Sequence, residues 1–284
     1  MNLRQLVGTD EPYFQFDREE RQMAAILFHL LNHNDNAERV IRSVEPDWKI
    51  NPAEFGIYFE YSYPRDLWDR MEVKVSSNAH KREVIMAILG KQGFDVSKLT
   101  ALKTVREFNG FFIELRRASR DYIQSPANWS LSQIANSLPS LDSNADLLIA
   151  CKIKWAFKAK PDLVIHADCE HALCIELKLE SGEGSYPSEA GEKKLLRERG
   201  LFAEKKTLPL PMSQTDLQKL LMTELLGLDC RFRFITRHAT SGTECEAWND
   251  FLELLKPLPP LPRYIVAALN KVAPLDVKGC PLAA

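Results

Sequence analysis

Two short runs carry side chains that could do chemistry together: KPDLVI, with Asp162, and CIELKLESG, with Glu176 and Lys178. Glu176 and Lys178 are two apart, so on a strand both project from one face while Leu177 points to the other. Thirteen residues lie between Asp162 and Glu176, and a hairpin of that length lays the two carboxylates side by side. Acids so close repel each other unless a cation lies between them. Hard oxygen ligands of this kind suit Mg²⁺, or Mn²⁺ in its place, with the Leu177 carbonyl as a further oxygen. Lys178 adds an ammonium beside them. DLVIHA and ALCIEL are too apolar for an exposed hairpin, which puts the charges at the margin of a buried sheet rather than on a solvated loop.

The elements that must position these residues follow from periodicity and capping. Asp17–Asn32 reads as a helix, with Met23, Ile26, Leu27, Leu30 and Leu31 on its apolar stripe. Asp17 stands at its N-cap and Glu20 three residues on, as in a capping box. A short helix over Asn36–Ser43 and a strand over Phe55–Tyr63 come next. Helical material then runs from Arg65 to Gln92, followed by a helix over Val105–Ile123 and a connector over Gln124–Asn144 containing a short helix, Leu131–Ser137. From Ala145 the chain turns apolar, and three strands are expected at Asp146–Phe157, Asp162–Ala167 and Ala172–Leu179, with a turn at Ala167–His171. Glu180–Pro211 reads as irregular. Ser213–Leu226 is an amphipathic helix with Ser213 as N-cap and Gly227 as its stop. RFRFITR, Arg231–Arg237, alternates as a strand, and helices over Glu244–Leu255 and Arg263–Val272 flank the PLPPLP stretch.

The ordered set PD, then ExK on the next strand, then a helix and a strand, resembles the PD-(D/E)xK, or restriction-endonuclease-like, nuclease superfamily. The likeness covers roughly Ala145–Arg237, about a third of the chain. It implies an α/β fold: a restriction-endonuclease-like core with a mixed central sheet flanked by helices, joined to an additional, mainly helical N-terminal region. On that basis the chain divides into 1–144, 145–256 as the nuclease core, and 257–284 as a Pro-rich linker and C-terminal helix. The resemblance further implies metal-dependent hydrolysis of phosphodiesters, with Asp162, Glu176 and Lys178 as the site. Lys178 would orient or deprotonate the attacking water and offset transition-state charge. A branch of the superfamily uses a glutamine on the following helix, here Gln214 or Gln218, one turn apart. Many members add a glutamate from a preceding helix; Glu19, Glu20, Glu107 and Glu114 are candidates. Glu20 is preferred because it lies on the apolar face, three residues before Met23, and it would make 36–144 an insertion.

Nucleic acid is the implied partner, DNA ahead of RNA because most of the superfamily acts on it, in defence, restriction or mobile-element biology. A homodimer or a partner protein in such a complex is also compatible. The other reading is a catalytically inactive nuclease fold that binds nucleic acid or a protein. Phosphate binding needs cations, and three groups could supply them: Lys152, Lys154, Lys158 and Lys160; Arg231, Arg233 and Arg237; Arg116, Arg117 and Arg120.

Composition bounds these readings. The 284 residues carry 37 Lys+Arg against 39 Asp+Glu, a net charge of −2, which excludes a protein that coats nucleic acid by bulk charge. Hydrophobic residues at 45% exclude a predominantly disordered chain. Six cysteines with no CxxC pair exclude a zinc ribbon. His29 and His33 share a helix face without the acid of a metalloprotease motif, and no GxxxxGK[ST] loop is present. Apolar runs such as Met23–Leu31 are too short to span a bilayer and no leader is visible, so no membrane association is expected and the cytoplasm is the expected compartment.

Overall fold

The computed structural model describes residues 19–71, 75–114, 121–179, 184–203, 209–236, 245–255 and 258–272. In chain order the helices are α1 (Glu20–Leu31), α2 (Asn36–Val44), α3 (Tyr63–Arg70), α4 (Val75–Lys91), α5 (Ser97–Thr100), α6 (Val105–Phe112), α7 (Leu131–Ser137), α8 (Asn144–Lys158), α9 (Ala190–Glu198), α10 (Gln214–Lys219), α11 (Trp248–Leu254) and α12 (Arg263–Val272). The strands are β1 (Gly56–Phe59), β2 (Leu163–His166), β3 (His171–Leu177), β4 (Ser185–Tyr186), β5 (Met212–Ser213), β6 (Asp229–Thr236) and β7 (Cys245–Ala247). The fold is mixed α/β. Among the described residues no helix is long and apolar enough to cross a membrane.

Two compact units share the chain. The first comprises Met1–Tyr61, Pro161–Gly182 and Leu228–Ala284; the second comprises Ser62–Lys160 and Glu183–Gly227. The first holds a five-stranded sheet in the order β1-β2-β3-β6-β7. β1, β2 and β3 run antiparallel, while β3–β6 and β6–β7 are parallel. Alternation sorts one set of side chains, Leu163, Ile165, Leu173, Ile175, Leu177 and Ile235, into a core shared with Leu27 and Leu30 of α1, Ile41 of α2 and Trp248 and Phe251 of α11. Six or so fully buried aliphatic side chains at about 2 kcal/mol each are a large share of what holds a unit of this size together.

The second unit has a separate core, in which Phe108 and Phe112 of α6, Trp129, Ile134 of α7, and Leu147 and Trp155 of α8 meet. Phe112 stacks on Trp129 with ring centroids 4.1 Å apart. β4 and β5 form a small antiparallel pair here. The partition at 144/145 therefore does not follow the packing. Residues 145–160 fold with the helical material before them, and residues 19–61 belong with the sheet, because each apolar face is buried within its own unit.

The largest correction is the stretch expected as the first of three strands, Asp146–Phe157, which is α8. Leu147, Ala150, Cys151, Ile153, Trp155 and Ala156 are all buried, so the helix has little polar face to reveal its period, and a run of 15 residues exceeds a normal strand. The helix expected over Val105–Ile123 ends at Phe112. Thr104 and Glu107 form a full capping box at its start, and Ile113 is extended. The Asn109 amide then clamps the returning chain, donating to the Tyr122 carbonyl at 2.9 Å and accepting from Gln124 N at 3.1 Å. Cys245–Ala247 is strand rather than helix because it adds to the parallel edge beside β6. The expected strand Phe55–Tyr63 shortens to β1, and the irregular Glu180–Pro211 contains β4 and α9.

Ser213 caps α10 as expected, accepting from Asp216 N at 3.1 Å, and Gly227 stops the segment at φ +74. Between them Leu220–Leu225 forms a π-helical turn. Asp17 lies outside the described residues. The N-cap of α1 is Glu19, without a side-chain cap bond, so the anticipated capping box is not the role of Glu20.

Candidate functional site

β2 and β3 form a hairpin with Leu163 opposite Ile175, which sets Asp162, one residue before β2, beside the C-terminal end of β3. The turn is held by Asp168, whose carboxylate accepts from Glu170 N at 2.8 Å and His171 N at 2.7 Å. β1 fixes the other flank: Glu60 N donates to the Asp162 carbonyl at 2.8 Å, and Tyr61 N to that of Pro161 at 3.0 Å. Asp162 is thus gripped by main chain on both sides. Its Oδ2 accepts the amide of Leu177 at 2.9 Å.

Glu176 is only 3% exposed. Lys178 Nζ donates to its Oε1 at 2.7 Å, as the two-residue spacing requires, while Leu177 is buried in the core on the opposite face. Glu20, at the start of α1, completes the group. Its Oε2 is 3.6 Å from Lys178 Nζ, and its Oε1 accepts Leu179 N at 3.3 Å. Glu20, Asp162, Glu176 and Lys178 are therefore together in one unit, with Leu177 between them in the chain.

Three acids surround one ammonium, and the titration of the group reflects that shortfall. Burial, and then the charge of Glu176, push the Asp162 carboxyl up to about 7, despite the Leu177 amide and Lys178. Burial opposes charge on Lys178, but Glu176, Glu20 and Asp162 together raise it above its ordinary value. Lys178 is thus held as an ammonium at neutral pH. The donor set fits a hard divalent cation, which would relieve the repulsion that raises the Asp162 carboxyl. Asp162 and Glu176 would hold it. Among the described residues no three or more His, Cys, Asp and Glu side chains form a ready-made metal cage, so most of the shell would be water, main chain or substrate, the usual state of protein-bound Mg²⁺.

The other candidates have surroundings of their own. Gln214 and Gln218 fold with the helical unit; Gln218 is buried at 1% exposure, and Gln214 N donates to the Gly184 carbonyl at 2.8 Å. Glu107 is occupied in the α6 capping box, and Glu114 is exposed in the same helical unit. Glu19 is exposed.

The expected cationic faces change with the fold. Lys152, Lys154 and Lys158 lie on a helix, not a strand, so only Lys154 and Lys158 share a face, and Lys154 is ion-paired with Glu192. The register Ile175↔Arg233 and Glu176↔Phe234 puts Arg233, and Arg231 with it, on the sheet face opposite Glu176. Arg231 is further committed to Glu45 and Asp229. Arg116, Arg117, Arg120 and Arg237 lie outside the described residues.

Sequence reasoning missed two residues beside the site. Glu60, whose amide holds Asp162, has φ +47, a left-handed conformation that costs a non-glycine residue about 1 kcal/mol or more. Its carboxylate binds Arg21 Nε at 2.5 Å. Arg21 follows Glu20 directly and its side chain is 76% exposed, so its remaining guanidinium donors face solvent at the margin of the acidic group. The adjacency of Arg21 to Glu20 is the only hint in the sequence; nothing marks Glu60.

Compared with family models, curated proteins and solved structures, the chain matches none of them. The functional reading rests on the chain's own geometry.

Proposed function

We propose that the protein is a metal-dependent nuclease on a restriction-endonuclease-like core, hydrolysing phosphodiester bonds of nucleic acid, with DNA in a defence, restriction or mobile-element setting as the favoured substrate. The observation that carries this reading is the meeting of Asp162, Glu176, Lys178 and Glu20 at the end of β3 with an excess of negative charge. Asp162 and Glu176 would hold Mg²⁺ or Mn²⁺, and Leu177 could add its carbonyl. The cation, when bound, supplies Lewis acidity toward the phosphodiester and the attacking water.

The chain's own residues do the rest. Held by Glu176 and Glu20, Lys178 keeps its proton, which suits it to orient the nucleophile and offset charge on the phosphate rather than to act as the base. Glu20 supports Lys178 and ties α1 to the strand end through Leu179 N. Arg21 is placed to contact a flanking phosphate, with Glu60 limiting its freedom. With no net positive charge to recruit a polyanion, such local donors must supply the phosphate contacts.

A plasmid-cleavage assay with Mg²⁺ or Mn²⁺ tests this. Cutting should be abolished by chelator, and Asp162→Ala or Lys178→Ala should each lower it by about 100-fold or more. A gel shift run in parallel separates the alternatives. Retention of DNA by a folded wild type that never cuts would favour the inactive, binding form of the fold, and neither activity would remove nucleic acid from the account.

A further inference from the structure

β1 is an edge strand of the five-stranded sheet, and its alternation separates Ile57 and Phe59, packed on the core, from Tyr58. The register Tyr58↔Val164 and Val164↔Cys174 puts Tyr58 on the sheet face that carries Glu176. Val164 and Cys174 are buried on that face, while Tyr58 at the edge is 47% exposed. The exposed ring is held in place all the same. A Cβ at Gly56 would come within 2.7 Å of Tyr58 Oη and 2.9 Å of its Cζ and Cε2, so any larger residue there would displace the ring. Tyr61 and His166 pack against it edge to face, with centroids 5.8 Å and 5.5 Å away, and Tyr61 Oη is itself hydrogen-bonded to His166 Nε2 at 3.0 Å. A ring already ordered in this way has little conformational freedom left to lose when a ligand lies on it.

The position of the ring says what that ligand is. Two residues on, Glu60 grips the Asp162 carbonyl through its amide and Arg21 through its carboxylate. Tyr58 and Arg21 therefore flank the residue that holds Asp162, and two residues of strand span about 7 Å, the scale of one nucleotide. A phosphate on Arg21 would have an aromatic surface within reach of its own base. The chain also needs a source of affinity other than charge, because its net charge is −2 and Arg231 is committed to Glu45 and Asp229. Stacking on an aromatic side chain supplies roughly 5- to 150-fold per base and does so for every base. Inside a duplex each base is already stacked between its neighbours, so a ring at the rim of the site can take only a base that is out of the stack. Granting the nuclease reading, on which this rests, we infer that the substrate is single-stranded DNA, with Tyr58 as the platform for the base beside the phosphate that Arg21 contacts. A supercoiled plasmid remains a substrate through the strand opening that negative supercoiling favours.

The test compares a labelled single strand of about 20 nucleotides with its own duplex, by fluorescence anisotropy of the full chain in chelator and by cleavage in Mg²⁺. The single strand should bind at least about tenfold tighter than the duplex and be cut faster by a similar factor. Tyr58→Leu, which keeps an apolar side chain but no ring, should weaken single-strand binding about tenfold at every salt concentration, with the slope of log Kd against log salt unchanged. Arg21→Ala should instead flatten that slope by about 0.7. Tyr58→Phe should recover most of what Tyr58→Leu loses, and Tyr58→Leu should melt within about 3 °C of wild type. Equal binding and cutting of duplex and single strand would overturn the assignment while keeping the nuclease. So would Tyr58→Leu binding as wild type does, or Tyr58→Phe losing as much as Tyr58→Leu. A chain that holds the single strand through Tyr58 and never cuts would keep the platform and remove the nuclease. A chain that binds and cuts neither DNA would overturn both.

Discussion

Each unit sets a lysine against a buried glutamate, and the two pairs are built to opposite accounts. In the helical unit, Lys154 and Glu192 balance one charge with one, and the second Glu192 oxygen is satisfied by Trp155. In the sheet unit, Lys178 meets Glu176 and Glu20, with Asp162 close enough to be pushed up to about 7. A balanced buried pair holds local structure and leaves little charge uncompensated. An unbalanced one stores repulsion that folding alone would remove, and clusters of perturbed acids of this kind concentrate at functional sites. The difference separates a structural ion pair from a candidate catalytic one better than burial does, since both glutamates are buried.

The strongest way to break the comparison is Lys154→Met. It leaves Glu192 buried opposite no cation, and urea unfolding should show a loss of about 3–5 kcal/mol. A loss below about 1 kcal/mol would mean the helical pair is no more structural than a surface bridge.

The sheet unit should respond in the opposite sense. Asp162 has its folded value raised above the ordinary carboxyl value near 4, so the folded chain binds the proton more tightly. Its contribution is full below about pH 4 and is lost as pH rises to about 7, a change of about 4 kcal/mol in chelated protein. Asp162→Asn should flatten that decline, and Mg²⁺ should restore wild-type stability above pH 7. Parallel unfolding curves of wild type and Asp162→Asn across the window would show that the acids do not repel.

The smallest effect sharpens the reading of the rim. Arg21→Ala removes an exposed guanidinium, so its melting temperature should stay within about 1 °C of wild type. On the proposed phosphate contact, KM should instead rise about three- to tenfold with kcat nearly unchanged. A fall in kcat at constant KM would move Arg21 from substrate binding to the chemical step.

Glu176 and Lys178 were legible because a strand's period of two is local: no distant contact is needed to put both on one face. The hairpin, the Ser213 cap and the Gly227 stop were readable for the same reason, each being settled within a few residues. α8 was not. A helix buried on nearly all sides loses its amphipathic period and reads as an apolar strand, which carried the lysines before Asp162 to the wrong kind of face. Glu20 was one of four candidates until packing brought it to Leu179, 159 positions away, and Glu60 had no marker because a left-handed residue at a strand end is imposed by its neighbours.

The order of acids and lysine along the chain, and the alternation that aims them, belong to the sequence itself, because both follow from bond geometry repeated every two residues. Which helix brings a second glutamate to Lys178, how the chain divides into two cores, and whether a lysine beside a buried glutamate is balanced or outnumbered were decided by the tertiary structure alone. Those outcomes depend on solvent exclusion and on Coulomb interactions between groups far apart in the chain, and neither is encoded in any local run of residues.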